Sequence, residues 1–140
     1  MRYLVDTNII VYMMGDPDSL DNDVKALISE PDALLYASAE SAKELVVAYR
    51  NKGLFAKRWK TAEEMLHSIE DEHFIQFLPL KMEHIFTYSR LTVNERQCHK
   101  DPSDHLIIAH AITERLPLIS SDTRFEFYRS QGLDLIFNKK

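Results

Sequence analysis

The sequence is poor in cysteine and has no long hydrophobic run, and both absences exclude classes of protein. Its single cysteine, Cys98, cannot form an intrachain disulfide, which agrees with a reducing compartment and with an incidental thiol rather than a nucleophile. No segment is apolar over the roughly 20 residues that a membrane-spanning helix needs. The apolar run at residues 3–5 ends at Asp6, too early for the core of a signal peptide. We therefore expect a cytoplasmic protein without a membrane anchor.

The chain also lacks an excess of positive charge. Its 22 acidic residues outnumber its 17 basic ones, which gives a formal net charge of −5. Because a phosphate backbone is attracted by lysine and arginine and repelled by carboxylates, this balance argues against indiscriminate binding to nucleic acids. A polyanionic substrate would need cations between itself and the protein.

Length and composition indicate a single domain over residues 1–140. A chain of 140 residues buries one core and is too short for two ordinary domains. A hydrophobic fraction of 45% and a charged fraction of 28% are typical of a globular protein.

Short apolar strands alternate with helical patterns along the chain, which predicts an α/β fold. Strands are predicted at residues 3–5, 33–37, 74–80, 116–119 and 133–137. The helix that starts at Ala39 is expected to end at Gly53, and a later helix is predicted over residues 82–93 with its apolar side chains facing the core. A helix-like segment at residues 124–130 ends at Gly132.

Four acids stand where a predicted strand ends or a helix begins. Asp6 and Asp122 follow strands, Glu44 lies in the first turns of the helix from residue 39, and Asp104 lies in the first turn of the helix that Asp101 caps. In a doubly wound sheet the carboxyl ends of the central strands meet, so we expect these acids to cluster. The structural alternative for Asp6 is that it only caps the helix that follows it.

A cluster of carboxylates needs a cation to relieve its mutual repulsion. Oxygen ligands without a set of cysteines or histidines select Mg²⁺ or Mn²⁺ rather than zinc. Such ions, held by a few carboxylates, activate water and neutralise charge in phosphodiester hydrolysis.

The segments around these acids resemble the four acidic motifs of the PIN-domain ribonucleases, especially the VapC-like toxins of type II toxin–antitoxin systems. The matching segments are residues 4–10, 38–44, 101–109 and 118–122. The resemblance implies a three-layer α/β/α sandwich with a five-stranded, mostly parallel sheet. It also implies endonucleolytic cleavage of RNA with Mg²⁺ or Mn²⁺.

The resemblance also assigns roles to residues. Asp6, Asp104 and Asp122 are the implied metal ligands, and Glu44 is a fourth ligand or positions the hydrolytic water. Glu40, one turn earlier, is an alternative to Glu44. The side chains implied to orient the acids are those of Thr7, Asn8, Ser120 and Ser121.

Two departures from the family pattern affect substrate contacts and packing rather than the acids. Ser103 stands where members often carry an aromatic residue, and His105 stands where they often carry arginine.

Partners are implied in the same way: an RNA substrate with transfer RNA as the leading candidate, a cognate antitoxin, and a homodimer formed through the helices around residues 50–69. Within that region, residues 50–60 hold five basic side chains and no acid. This basic segment is either a solvated corner between helices or a surface for RNA phosphates or an acidic partner.

Other functions are weighed against this interpretation. Haloacid-dehalogenase-like phosphatases share the opening strand and aspartate but need a second acid where this chain has Asn8. A zinc site of His99, His105 and His110 is disfavoured because the spacing does not place them on one helical face, so we expect a loop residue and two partly buried helix residues. A housekeeping PIN-domain RNase and a non-catalytic PIN-fold binding module remain alternatives.

Overall fold

A five-stranded sheet is the centre of the fold in the computed structural model, which describes residues 1–53, 55 and 57–139. Every pair of neighbouring strands is parallel, in the order β3-β2-β1-β4-β5. The strands are β1 (Arg2–Val5), β2 (Leu34–Ser38), β3 (Ile75–Leu78), β4 (Leu118–Ser120) and β5 (Leu135–Phe137). The predicted α/β architecture with a five-stranded parallel sheet is confirmed.

Helices connect the strands and cover the sheet. They are α1 (Thr7–Gly15), α2 (Asn22–Ser29), α3 (Ala39–Lys52), α4 (Ala62–Glu72), α5 (Met82–Arg90) and α6 (Pro102–Glu114), with 3₁₀ segments at Pro17–Ser19 and Thr123–Gln131. Helix α3 ends as predicted at Gly53, which adopts the left-handed conformation with φ of 65°. Within the described residues, none of the helices has the length and apolar character that crossing a membrane requires.

Alternating side chains of β1 divide the core between the two faces of the sheet. Tyr3 and Val5 pack with buried side chains of α1, α2, α3 and α4. Leu4 points to the other face and packs with α6 and with Phe125 and Tyr128 of the second 3₁₀ segment. Because β1 is covered on both faces, its sequence is a short continuous apolar run rather than an alternating one.

Helix α5 differs from its prediction. It ends at Arg90, and the apolar side chains assigned to its core face lie largely in solvent, with Met82 61% and Phe86 56% exposed. His84 takes the buried position instead, because its Nδ1 accepts the Lys81 N–H at 2.8 Å and its Nε2 lies 2.6 Å from the Glu114 carboxylate of α6. A hydrogen-bonded polar side chain therefore occupies the buried position between α5 and α6.

Strand β3 is shorter than predicted at both ends. Phe74, expected to start it, is 79% exposed and adopts a φ of 55°, which no strand residue can use. Pro79 follows Leu78 and has no N–H to continue the pairing with β2.

Candidate active site

The carboxyl edge of the sheet brings all four predicted acids to one cavity. Asp6 follows β1, Asp122 follows β4, Glu44 comes from α3, and Asp104 comes from the first turn of α6. Strands β1 and β4 are hydrogen-bonded neighbours, so Asp6 and Asp122 leave the sheet side by side. The cavity has a volume of about 370 Å³ and is lined by Asp6, Thr7, Asn8, Val11, Tyr12, Glu44, Asp104, Asp122 and Arg124.

Asp6 is buried, and both of its oxygens are hydrogen-bonded. Its Oδ1 accepts the Thr7 N–H at 2.8 Å, so Asp6 does cap α1, as the structural alternative required. Its Oδ2 accepts the Ser120 hydroxyl at 2.7 Å, and Ser120 Oγ in turn accepts the Asp122 N–H at 3.1 Å. One hydroxyl thus ties the ends of β1 and β4 together.

Glu44 rather than Glu40 lines this cavity. The Thr7 hydroxyl donates to Glu44 Oε1 at 2.6 Å and so fixes the carboxylate beside the first residue of α1. Glu40 is engaged elsewhere, because it accepts the Ser103 hydroxyl at 2.7 Å and pairs with Lys43.

Asp104 is held by a chain of hydrogen bonds that runs into the core. Its Oδ2 lies 2.9 Å from His99 Nε2, and His99 Nδ1 lies 3.0 Å from the Tyr128 hydroxyl. The Asn94 N–H donates to the same hydroxyl at 3.1 Å. With Tyr128 donating to Nδ1, the neutral imidazole carries its proton on Nε2 and donates it to Asp104.

Asp122 is paired with a guanidinium. Arg124 donates to its carboxylate from the backbone N–H at 2.9 Å, from Nε at 3.0 Å and from Nη2 at 2.7 Å. The same Nη2 lies 3.7 Å from Asp104 Oδ2. Arg124 is therefore a positive charge built into the acidic cavity.

Burial and mutual repulsion raise the pKa of two of the acids. Burial, followed by the charges of Asp104 and Glu44, raises the pKa of Asp6 to about 7 against the opposing hydrogen bonds from Ser120 and Thr7. Burial and the charges of Asp101, Asp122 and Glu44 raise the pKa of Asp104 to about 7. The cavity therefore has more negative charge than its own cation neutralises.

The other two acids respond to their hydrogen-bond partners. Burial raises the pKa of Glu44, although the Thr7 hydroxyl opposes that shift. Burial acts upward on Asp122 as well, but the hydrogen bonds from Arg124 outweigh it and leave the pKa of Asp122 below its usual value.

The donor set fits a hard divalent cation. Carboxylate oxygens of Glu44, Asp101 and Asp104 lie within 4.8 Å of one another, and Asp104 belongs to a second such group with His99 and Asp122. In the part of the chain that the structure describes, the buried Oδ1 of Asn8, which lines the same cavity, has no hydrogen-bond partner. Clustered oxygens with raised pKa values are the environment that Mg²⁺ or Mn²⁺ relieves.

The residues expected to orient the acids divide into two pairs. Thr7 and Ser120 bind the carboxylates directly. The hydroxyl of Ser121 lies instead 2.8 Å from Asn138 Nδ2, and Asn8 lines the cavity with its amide oxygen free of protein donors among the described residues.

Sequence reasoning missed Arg124 and His99. Arg124 was detectable in principle, since it stands two residues after Asp122 at the start of a helical segment. His99 lies in a loop, as the sequence predicts, but its side chain is fully buried. The expectation that His105 and His110 are partly buried is wrong, because both are buried: His105 packs against His99 with ring centroids 4.7 Å apart, and His110 against His84 at 4.1 Å.

Several solved structures of toxin–antitoxin complexes have a similar fold. VapBC2 from Rickettsia felis, bound to a DNA fragment from its promoter, has a TM-score of 0.74 at 22% identity and covers 99% of this chain and 100% of that chain. VapBC-1 from nontypeable Haemophilus influenzae has a TM-score of 0.68 at 26% identity and covers 100% of both chains. VapBC-5 from Mycobacterium tuberculosis, a member of the VapBC family of toxin–antitoxin systems, has a TM-score of 0.64 at 19% identity and covers 99% of this chain and 98% of that chain.

A search of curated protein sequences gives no significant match. A family model, by contrast, matches nearly the whole chain: the model of the PIN domain aligns with residues 3–130, a range that contains all four acids. The resemblance that the acidic motifs predicted is thereby confirmed, and the chain belongs to the PIN domain family.

Proposed function

We propose that this protein is a Mg²⁺- or Mn²⁺-dependent endoribonuclease that acts as the toxin of a type II toxin–antitoxin pair. The observation that carries the proposal is the convergence of Asp6, Glu44, Asp104 and Asp122 on one cavity, with the pKa of Asp6 and Asp104 raised to about 7. Four acids that repel one another stay ionised together when a divalent cation binds among them.

Asp6, Asp104 and Asp122 are the proposed metal ligands, directly or through water. When bound, the ion polarises the scissile phosphate and lowers the pKa of the water that attacks it. The residues around it supply rigidity, because Ser120 holds Asp6, His99 holds Asp104, and Arg124 holds Asp122.

Glu44 is the proposed acceptor for the proton of the attacking water. Burial raises its pKa, which makes the carboxylate a stronger base, and the Thr7 hydroxyl fixes its orientation. If Glu44 is instead a fourth ligand, the same hydrogen bond orients it toward the ion.

We propose that two cations receive RNA phosphates despite the net charge of −5. Arg124 lies in the acidic cavity, and Lys43 lines an adjoining cavity of about 390 Å³ that shares Thr7 and Glu44 with the first. We propose that a single strand of RNA passes through the two cavities. Transfer RNA is the leading candidate substrate.

A protein partner is supported by the solved relatives, which are VapBC assemblies from Rickettsia felis and Haemophilus influenzae. We propose a cognate antitoxin for this chain and a homodimer through the helices around residues 50–69. Of the basic segment in that region, Leu54 and Ala56 lie outside the described residues. Arg50, Lys57, Arg58 and Lys60 are all exposed, and Arg58 also packs over the ring of Trp59 and donates to Met14 O at 3.0 Å.

The test compares the wild-type protein with Asp6→Asn on a labelled RNA pool, with Mg²⁺, with Mn²⁺ and with a chelator. Cleavage should require the ion and fall at least about 100-fold in Asp6→Asn, because several kcal/mol of charge stabilisation is lost with the ligand. Asp71→Asn, which alters an exposed acid of α4, is the matched control and should cleave normally. Cleavage in the presence of chelator, or full activity of Asp6→Asn, would contradict the proposal.

The toxin assignment needs a test in cells. Induced expression should arrest growth, and co-expression of a small neighbouring gene should relieve the arrest. RNA cleavage in vitro without a growth effect would favour the housekeeping RNase instead.

A further inference from the structure

Among the described residues, His99 is the one nitrogen donor in the groups at the acidic cavity whose ligand atoms are spaced closely enough to share a cation. Its ring nitrogen and carboxylate oxygens of Asp104 and Asp122 all lie within 4.8 Å of one another. His99 Nε2 and Asp104 Oδ2 are 2.9 Å apart. This is the separation of a hydrogen bond, and it is also close to the roughly 3 Å between adjacent ligands of an octahedral ion with bonds of about 2.1 Å, so an ion bound by both side chains would replace this hydrogen bond with only a small displacement of either one.

The imidazole is held in place by its surroundings. The ring of His99 stacks on Phe125 with centroids 5.5 Å apart and meets the edges of His105 and Tyr128. Its loop is closed by two backbone hydrogen bonds and passes through a left-handed residue, Cys98, with φ of 51°. A donor that is immobilised before binding loses little conformational entropy when it takes up an ion.

The far nitrogen of the ring has the partner that a ligating histidine needs. Nδ1 lies 3.0 Å from the Tyr128 hydroxyl, which is able to donate or accept. When Nε2 uses its lone pair for an ion, the proton sits on Nδ1 and is donated to Tyr128 Oη. This arrangement, in which the second ring nitrogen donates to a neighbouring oxygen, is usual around metal-bound imidazoles.

We propose that His99 is a direct nitrogen ligand of the divalent ion, beside Asp104 and Asp122, and that it shifts the preference of this centre from Mg²⁺ toward Mn²⁺. Mg²⁺ favours oxygen ligands, whereas imidazole binds later divalent metals more strongly, with Mn²⁺ at the start of that series. The inference rests on the proposed function, because it concerns the same metal centre. The other interpretation of the same contacts is that His99 only positions Asp104 through a hydrogen bond.

Pulsed electron paramagnetic resonance on the Mn²⁺-loaded full chain separates the two interpretations without measuring activity. The protein is prepared without an affinity tag, once unlabelled and once with ¹⁵N-histidine. A directly bound imidazole should give a nitrogen hyperfine coupling that changes with the isotope, and this wild-type comparison does not depend on the folding of any variant.

Two variants assign the coupling to a residue. His99→Gln should abolish it, weaken Mn²⁺ binding about 10-fold or more, and weaken Mg²⁺ binding less, so that the ratio of the two dissociation constants moves toward one. His67→Gln is the matched control, since that histidine is exposed on α4 and belongs to none of the ligand groups described at the cavity. It should keep both the coupling and the ratio.

The outcomes distinguish this inference from the proposed function. Mn²⁺ binding and RNA cleavage without a histidine coupling would overturn the ligand assignment and leave the ribonuclease standing. A coupling that survives in folded His99→Gln would overturn it as well. Failure of the wild-type chain to bind Mn²⁺ or to cleave RNA would reject both.

Discussion

Asp6 combines a structural and a chemical task in one carboxyl group. It caps α1 through Oδ1 and faces Ser120 and the cavity through Oδ2. Capping alone would leave it exposed and ionised, as most N-caps are. Burial beside Asp104 and Glu44 instead makes the ionised form unfavourable in the absence of an ion.

The raised pKa of Asp6 predicts that the metal-free protein loses stability as the pH rises. Between about pH 4, where an ordinary aspartic acid ionises, and about pH 7, the folded state binds more protons than the unfolded state, so the free energy of unfolding falls with pH. The part due to Asp6 should amount to roughly 2–4 kcal/mol. Chemical denaturation of wild type and Asp6→Asn across this range measures it as the difference between the two curves.

The comparison of wild type with Asp6→Asn is needed because His110 changes the free energy of unfolding with pH in the opposite direction. Burial, followed by the charge of His84, lowers its pKa to about 4, which makes the folded state gain stability as the pH rises from 4 to 6.5. The His110 contribution is common to wild type and Asp6→Asn and cancels in the comparison. Curves that stay parallel from pH 4 to 7 would show that Asp6 ionises normally.

Arg124 is predicted to matter through its geometry as well as its charge. Its backbone N–H and guanidinium make three hydrogen bonds to Asp122, and a lysine side chain reproduces the charge without the planar fork. We expect RNA cleavage to fall about 10-fold in Arg124→Lys and about 100-fold in Arg124→Gln. Arg129→Gln, an exposed arginine in the same segment that pairs with Glu126, is the control and should leave the rate unchanged. Equal cleavage rates for Arg124→Lys and wild type would show that only the charge of Arg124 matters and that its planar hydrogen-bonding geometry does not.

The four acids were predictable from sequence because each follows a local rule, at the end of a strand or the start of a helix. His99 was not, because its position depends on a loop that turns through Cys98 and on rings from a segment 26 to 29 residues further along the chain. Nothing in the spacing of residues 94–100 signals that an imidazole will be buried against Asp104.

Among the secondary-structure elements, two helices bring acids to the cavity through their N-terminal turns. Ser38 caps α3 and Asp101 caps α6, and the N-terminal turns of these two helices carry Glu44 and Asp104 to the cavity. The orientation of helix α5, by contrast, does not follow from its sequence pattern. Its apolar spacing predicted a core face, but the pair of His84 and Glu114 fixes its rotation and turns Met82 and Phe86 outward.

The C-terminus of α6 gives a stability prediction. Arg115 occupies the left-handed region with φ of 55°, where a side chain is unfavourable and glycine is not. Arg115→Gly should raise the free energy of unfolding by about 0.5–1 kcal/mol, and thermal denaturation will measure it.

Gly132→Ala, which adds a side chain at a left-handed position instead of removing one, is the matched control for Arg115→Gly. Gly132 has φ of 106°, and a Cβ there would meet Ile112 only at 3.5 Å, so strain of the backbone is the dominant effect. Gly132→Ala should destabilise the protein by about 1–3 kcal/mol. Effects of the same sign in the two variants would contradict the assignment.

At the scale of the whole molecule, β1 joins the two halves of the core. Because Leu4 packs on one face and Tyr3 and Val5 on the other, we predict that residues 1–140 unfold as one domain in a single transition. Leu4→Ala, at a fully buried position, should lower the free energy of unfolding by about 2–5 kcal/mol.

Leu34→Ala is the control at the start of β2, where the side chain is 53% exposed, and its effect should stay below about 1 kcal/mol. Circular dichroism and the fluorescence of Trp59 should report the same midpoint in each variant. Separate midpoints would show two folding units and contradict the single-domain prediction.

The sheet order also determines when during synthesis the acidic cavity can be completed. Strand β4 inserts beside β1 although most of the sequence lies between them, so a ribosome has already made α1 through α6 before it reaches Asp122. At about 5–20 residues per second, the interval from Asp6 to Asp122 lasts roughly 6–23 s. A nascent chain therefore carries an unfinished cavity for most of its translation, and the proposed nuclease activity can begin only after the last acid has emerged.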